Sequence, residues 1–513
     1  MLFLFLFFAL GQLCHSSKIS LGMVEDPKNL DPIMFSGSSM AITANIYEGL
    51  VRVEDGSIVP GLAEGWIASD QSIVFALREG VKWSDGESIK IEDFIFSARR
   101  LLSPKSISPF CSTYYPIKNA EAFHRGEKSF EEVGIKKIDD RHLEIIFEHP
   151  ADDLMECWGS IFAFTPFSPL RESVYGMSEG EKFGQSLESI DCCGPYRVSE
   201  WNASSYIVLE ANPFYYKDLK IKRIECLIVK DYSTMVKMYN ANELTLILSL
   251  GIKENGIPEV EIFEYPNENR VTYVGFNTKG NLSDKNLRRA IALSIDRDRL
   301  CNFVLSGQAI PAKKFTPNHI DYGIERKNFT LFESSKREAI KELKKSKGEI
   351  ESLTLICGGG EISLKVAQYI AEEIYETLGI EVEIEVLSMA SKVAREEKKD
   401  YDIAISGYMV DHSGPPFDFL TPFTKGSSYN RTGWSSCEFD ALIEESKRVY
   451  LLNDKLRALL SAEMLICDKK EGAFPVAPLY YRKLRYAKKS WIKNVKIYGG
   501  AGSPDFREAY LKF

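Results

Sequence analysis

The chain has 513 residues, 44% hydrophobic and 27% charged, with 64 Lys plus Arg against 73 Asp plus Glu and a net charge of −9. That is ordinary globular composition with room for two or three domains. The acidic balance speaks against the basic stripes of a nucleic-acid binder, and the absence of any repeat excludes a solenoid.

The first thirteen residues, MLFLFLFFALGQL, carry no charged side chain. The run is short for a membrane span and suits the apolar region of a signal peptide, so residues 1–17 read as an export leader, although no Lys or Arg precedes them. Leu13 and Gly11 weigh against a lipid anchor on Cys14. Of ten cysteines, nine follow that leader. Export predicts that some of them pair. Their spacing is irregular and lacks CxxC, so no zinc site is expected.

Downstream, strands and helices alternate. Ile73, Phe75 and Leu77 face one way in a strand, and KIEDFIFSARRLL follows as a helix with Pro104 beyond its end. RHLEIIFEHP is a further strand, and GPYRVSEWNASSYIVLEANP reads as two strands around a turn. Asn286 to Leu305 has an amphipathic helical period. Leu287, Ala290, Ile291, Ile295, Leu300, Phe303 and Val304 are apolar, Arg288, Arg289, Asp296 and Arg297 are among the polar positions, and Gly307 is the stop. SLTLIC is a strand, and LKVAQYIAEEIYETLG is a helix closed by Gly379. IEVEIEVLS then alternates with period two, a strand with one wet face. Tyr401 to Val410 reads as a neighbouring strand in the same α/β domain, running into Asp411 and a Gly-Pro-Pro turn. Asp at that place has a plain turn-opening use as well as a functional one.

Motifs for catalysis are missing. The six His form no spaced metal pair, GSSMA at Gly37 lacks the final Gly of a nucleophile elbow, and CGGGEIS at Cys357 lacks the Lys-Ser/Thr of a phosphate loop. His412 beside Asp411 has the residue types of a base and its orienter, but no nucleophile is in view.

Four blocks in order resemble the peptide-binding extracytoplasmic components of ABC importers, the oligopeptide- and dipeptide-binding family. They are YEGLVRVEDGSIVPGLAEGW with FALREGVKWSDGESIKIEDFIFSARRLL, then GPYRVSEW…IVLEANPFYY, then GFNTKGNLSDKNLRRAIALSIDRDRL, and last YDIAISGYMVDHSGPPFDFLTPF…FDALI. The resemblance implies an α/β fold of two periplasmic-binding-protein-like lobes with an extra inserted domain and a ligand cleft between the lobes. Lobe I is expected at 18–60, 190–280 and 485–513, the inserted domain at 61–189, and lobe II at 281–484. Hinge closure on ligand is the implied motion.

In function, the resemblance implies an exported, monomeric receptor that delivers di- to oligopeptides to an ABC permease, with no cofactor, no metal and no catalysis. Asp411 matches the carboxylate that receives the peptide's N-terminal ammonium. Ser406, Gly407, Tyr408 and Met409 match a strand edge that pairs with ligand main chain, and Ser36, Gly37 and Ser38 match an edge on the opposite wall. The chain departs from the family at several places. Tyr408 stands where many members have Trp, and Met409 replaces a cysteine found in some. Positions near Glu396 and Ile405, which in one oligopeptide binder supply Arg for the peptide's C-terminus, are not Arg here, leaving adjacent Arg395 as a substitute. The same fold also serves non-peptide solutes such as metal chelates, haem, sugars or modified peptides. A secreted hydrolase using Asp411 and His412 is the distant alternative.

Overall fold

In the computed structural model, the described residues are 18–34, 37, 39–177, 182–248, 250, 256–265, 269–320, 322, 333–348, 350–410, 416–470, 472–498 and 503–513. Asp411, His412, Ser36 and Ser38 lie outside them.

Two large sheets organise the chain. The first has seven strands in the order Ile262–Tyr265, Leu484–Lys488, Leu246–Ile247, Lys18–Met23, Arg223–Ile228, Tyr206–Ala211, Tyr196–Asn202. The second has six: Ala309–Pro311, Val476–Arg482, Arg270–Phe276, Ile403–Met409, Ser352–Gly358, Glu381–Leu387. A smaller antiparallel sheet of Ala63–Ala68, Ser72–Leu77, His142–Ile146 and Ile135–Lys137 belongs to the inserted segment. Its Ile73, Phe75 and Leu77 are buried, as their alternation predicts. The inserted segment shares one continuous apolar core with the first sheet, whereas the second sheet has a core of its own.

The chain crosses between the two halves twice. One crossing joins Tyr265, in the first sheet, to Arg270, in the second; the other joins Arg482 to Leu484. The first crossing therefore falls ahead of the expected boundary after residue 280. The reason is that Arg270–Phe276 pairs with Ile403–Met409 along its whole length, and sheet membership is settled by partners the strand finds far along the chain.

The helix expected over 286–305 is interrupted. It runs Lys285–Ser294, restarts at Arg297–Arg299 behind the cap Asp296, which accepts from Arg299 N–H at 2.9 Å, and ends in a wide π turn at Leu300–Val304. The break turns Phe303 outward to 78% exposure. Arg288, Arg289 and Arg297, which the helical pattern reads as polar-face residues, are buried. Their guanidinium groups donate to main-chain carbonyls: Arg288 to Phe474 at 2.9 Å and Leu282 at 2.7 Å, Arg297 to Pro478 at 2.6 Å and Ile295 at 2.9 Å. A buried cation is tolerated only with such partners.

The expected disulfides are not there among the described residues: all nine described cysteines are free thiols, and eight are buried. Several have local acceptors instead, as Cys111 Sγ has in the Leu101 carbonyl at 3.1 Å. Burial pushes the thiols of Cys157, Cys192, Cys226 and Cys301 up to about 12.

Candidate functional site

Ser352–Gly358 runs parallel to both Glu381–Leu387 and Ile403–Met409. Parallel strands end together, so Gly358, Leu387 and Met409 stand at one edge of the sheet. In open α/β sheets the crevice outside the carboxyl ends of the strands is where ligands bind. The strand that leads to Asp411 thus ends at that edge.

Ile403–Met409 has one side occupied and one side largely open. Arg270–Phe276 pairs with it at all seven positions. On the other side, Ser352–Gly358 pairs only at Leu355↔Ile403 and Ile356↔Ala404. No described strand continues along that edge from Ile405 to Met409. Antiparallel residues direct their main-chain groups alternately to the two sides. Asp402 C=O accepts from Asn277 N–H at 3.0 Å and Val410 N–H donates to Asn269 C=O at 3.0 Å, both toward the Arg270–Phe276 side. The even-numbered residues therefore face that partner, and Ile405, Gly407 and Met409 direct their N–H and C=O groups to the open side. Gly407 is also exposed and lacks a side chain to cover it.

The side chains around this edge are well anchored. Tyr408 meets Phe419 and Tyr429 edge-on, with ring centroids 6.0 and 6.1 Å away, an arrangement aromatic quadrupoles favour. Met409 Sδ accepts from Arg270 at 3.5 Å. On the other half, Gly37 is exposed with φ +53°, a left-handed conformation that suits glycine, and its carbonyl accepts from Met40 N–H at 3.2 Å where helix Ser39–Ile46 begins.

Arg395 does not stand at this edge's polar cluster. It lies on helix Met389–Lys398, hydrogen-bonded to the Glu385 carboxylate and paired with Asp400 at 3.0 Å. The residues that reach Ser406 are one helical face over. Lys392 and Glu396, four apart and so on the same face, are both buried. Lys392 Nζ lies 2.8 Å from Glu396 and 2.7 Å from Ser406 Oγ, and Ser406 donates to Glu396 as well. Arg431 closes the cluster, its guanidinium 2.8 Å from Glu396 Oε2 and partly exposed. Lys399 Nζ donates to the Asn430 carbonyl at 3.2 Å beside it. Burial pushes the Glu396 carboxyl up, but Lys392, Ser406 and Arg431 outweigh it and hold the group below its usual range. The Glu396 carboxylate thus stands between two cations, Lys392 and Arg431, and the surplus is positive. Sequence reading passed over Lys392 and Arg431, because their meeting joins a helix, a strand and a loop from separate parts of the chain. The i,i+4 spacing of Lys392 and Glu396 was the one signal present.

Among the described residues no group of three or more His, Cys, Asp or Glu is placed to hold a metal ion, and no helix is long and apolar enough to cross a membrane.

Two sheet-based halves joined by paired crossings, with an open strand edge at the carboxyl ends of parallel strands, define a cleft-binding protein of the solute-receptor class. The chain belongs to family 5 of the bacterial extracellular solute-binding proteins, whose middle-region model matches residues 57–431. It is 27% identical to the oligopeptide-binding protein OppA of Bacillus subtilis, covering 96% of this chain and 92% of that one. It is 28% identical to the periplasmic oligopeptide-binding protein OppA of Salmonella typhimurium, covering 91% and 87%. Among solved structures, the substrate-binding domain of an oligopeptide ABC transporter from Bacillus anthracis is similar with TM-score 0.79 and 25% identity, covering 97% of this chain and 99% of that one. The pheromone receptor PrgZ shares the fold with TM-score 0.81 at 24% identity, covering 97% and 100%.

Proposed function

We propose that this protein is the exported receptor of a peptide importer, which captures di- to oligopeptides between its two halves and hands them to an ABC permease. It works as a monomer and carries out no chemical step. The observation that carries the reading is the open edge from Ile405 to Met409. An extended peptide added there gains main-chain hydrogen bonds whatever its side chains, which suits a receptor for mixed peptides. Gly407 and Met409 offer main-chain groups to the ligand, Ser406 and Tyr408 belong to the same strand but pair their main chain with Arg270–Phe276, and residues 36–38 are the stretch proposed for the opposite wall.

Asp411 follows directly on that edge and is the counter-charge for the ligand's ammonium. Closure desolvates that pair, and losing one partner of a buried charge pair costs about 2–5 kcal/mol. At the other end of the ligand, Arg431 takes over the part considered for Arg395: it is partly exposed and shares the Glu396 carboxylate with Ser406 and Lys392, where the charge surplus is positive. Relatives named as oligopeptide- and dipeptide-binding proteins agree with this reading. Residues 1–17 serve as the export leader.

The test is ligand identity. The mature chain from residue 18 is unfolded and what it releases is identified by mass spectrometry; the refolded chain is then melted with a defined tripeptide mixture. Peptides are expected in the released fraction. A ligand at a hundred times its Kd adds about 2.7 kcal/mol of stability; that gain should vanish with N-acetylated peptides and with Asp411→Ala. Release of a haem or metal chelate, with no peptide response, would overturn the reading.

A further inference from the structure

The two halves also touch at a place distant in sequence from both crossings. Helix Leu452–Cys467 of the second half has Leu451 as its N-cap, with no side-chain acceptor of its own. Leucine is a poor cap because it leaves the first-turn N–H groups without an acceptor. The acceptor comes from the other half. Asp152 Oδ1 accepts from the Leu452 N–H at 2.7 Å, and the Asp152 N–H donates in return to the Tyr450 carbonyl at 3.1 Å.

Apolar contacts accompany this exchange. Leu452 packs against the core of the first half although it belongs to the second. Trp158, beside the first core, meets Phe417, beside the second, edge-on at 6.0 Å. Lys455, in the first turn of the same helix, is buried at the seam, its Nζ donating to the carbonyls of Lys447 at 3.3 Å and Ser446 at 3.5 Å.

We infer that Asp152 and the start of helix Leu452–Cys467 form a clasp, a helix cap donated from one half to the other that is complete only when the halves are together. It favours the closed arrangement without any contact to ligand. When the halves part, the Leu452 N–H loses its acceptor to water and the Leu452 side chain leaves the first core. Asp152 is exposed, so water replaces much of what is lost. The clasp therefore changes the ratio of closed to open forms by about threefold rather than by orders of magnitude.

Asp153 is the internal control. It also caps a helix, accepting from Glu156 N–H at 2.9 Å, but that helix, Leu154–Trp158, lies in its own half.

The experiment measures distances between two spin labels in the mature chain, stripped of ligand by unfolding and refolding. One label sits on Cys437, the exposed cysteine of the second half. The other sits on Ile67→Cys, an exposed position of the inserted sheet. Asp152→Ala should move the distribution toward longer separations, raising the open-to-closed ratio about threefold. Leu452→Pro should move it the same way, because proline at the first helical position removes that N–H without breaking the helix. Asp153→Ala should lower melting and leave the distances alone. Unchanged distances in both Asp152→Ala and Leu452→Pro, or an equal change in Asp153→Ala, would overturn the clasp. No ligand is present in this measurement, so failure of peptide capture leaves its outcome standing.

Discussion

At the residue scale, Glu396 and Arg395 are chain neighbours with different surroundings. Arg395 pairs with Glu385 and Asp400, while Glu396 is sealed among Lys392, Ser406 and Arg431. The helix alone accounts for the difference: consecutive residues point about 100° apart. Removing the Glu396 charge strands the buried Lys392 ammonium. Glu396→Gln should therefore destabilise the protein by about 3–5 kcal/mol at neutral pH. Because the Glu396 carboxyl is depressed in the folded state, its contribution is complete above the ordinary glutamate range, about pH 4.3, and is lost as pH falls through the lower folded value. Denaturant melts of wild type and Glu396→Gln should differ most above about pH 5 and converge in acid. A gap that stays constant down to pH 3 would show that the carboxylate is not the group responsible. Arg431→Ala should leave stability nearer to wild type, since Arg431 is partly exposed, and should weaken binding of a free-acid tripeptide more than of its C-terminal amide.

At the scale of elements, period-two and 3.6-residue patterns were legible wherever one face is dry. The strand Ser72–Leu77 and the helices Ile91–Leu101 and Glu361–Leu378 lie where their alternation and stop signals place them. Gly379 closes the last of these with φ +71°, the left-handed conformation of a helix C-terminus, and nothing stands within 4 Å of where a Cβ would be. The cost of Gly379→Ala is then purely conformational, about 1 kcal/mol, read as a lowered denaturant midpoint with unchanged slope. The pattern misled at Asn286–Leu305, where Arg288, Arg289 and Arg297 count as polar but are buried on carbonyls supplied largely by the 469–478 segment. A single sequence does not disclose such long-range acceptors. The open edge of Ile403–Met409 was legible only through the family resemblance. An alternating pattern marks a strand but not which of its two sides a neighbour will cover. Backbone pairing at that edge predicts a period of two in the ligand: N-methylating every second amide of a bound tri- to pentapeptide should weaken binding, and the alternate amides should tolerate it.

At the scale of the whole molecule, each large sheet has a main apolar core of its own and the chain crosses between them twice, which keeps the two halves distinct on either side of a cleft. Block order carried the architecture in the sequence, whereas the position of the first crossing depended on strand pairing. Cysteine chemistry was the feature read least well. Export argued for disulfides, yet the described cysteines stay unpaired on different elements, among them Cys226 in the first sheet, Cys357 in the second, and Cys301 in the turn after the interrupted helix. Stability in this protein then rests on apolar burial rather than on cross-links, and its thiols are protected by exclusion of water and reagent. In the mature chain from residue 18, one thiol, that of Cys437, should react quickly with a water-soluble thiol reagent, and all nine should react after unfolding. Melting should be the same with and without reductant, whereas removing a native disulfide typically costs about 2–5 kcal/mol. Fewer than nine thiols in the unfolded chain, or a melting point lowered by reductant, would mean that at least one pair does form on export and that the unpaired thiols are not the native arrangement.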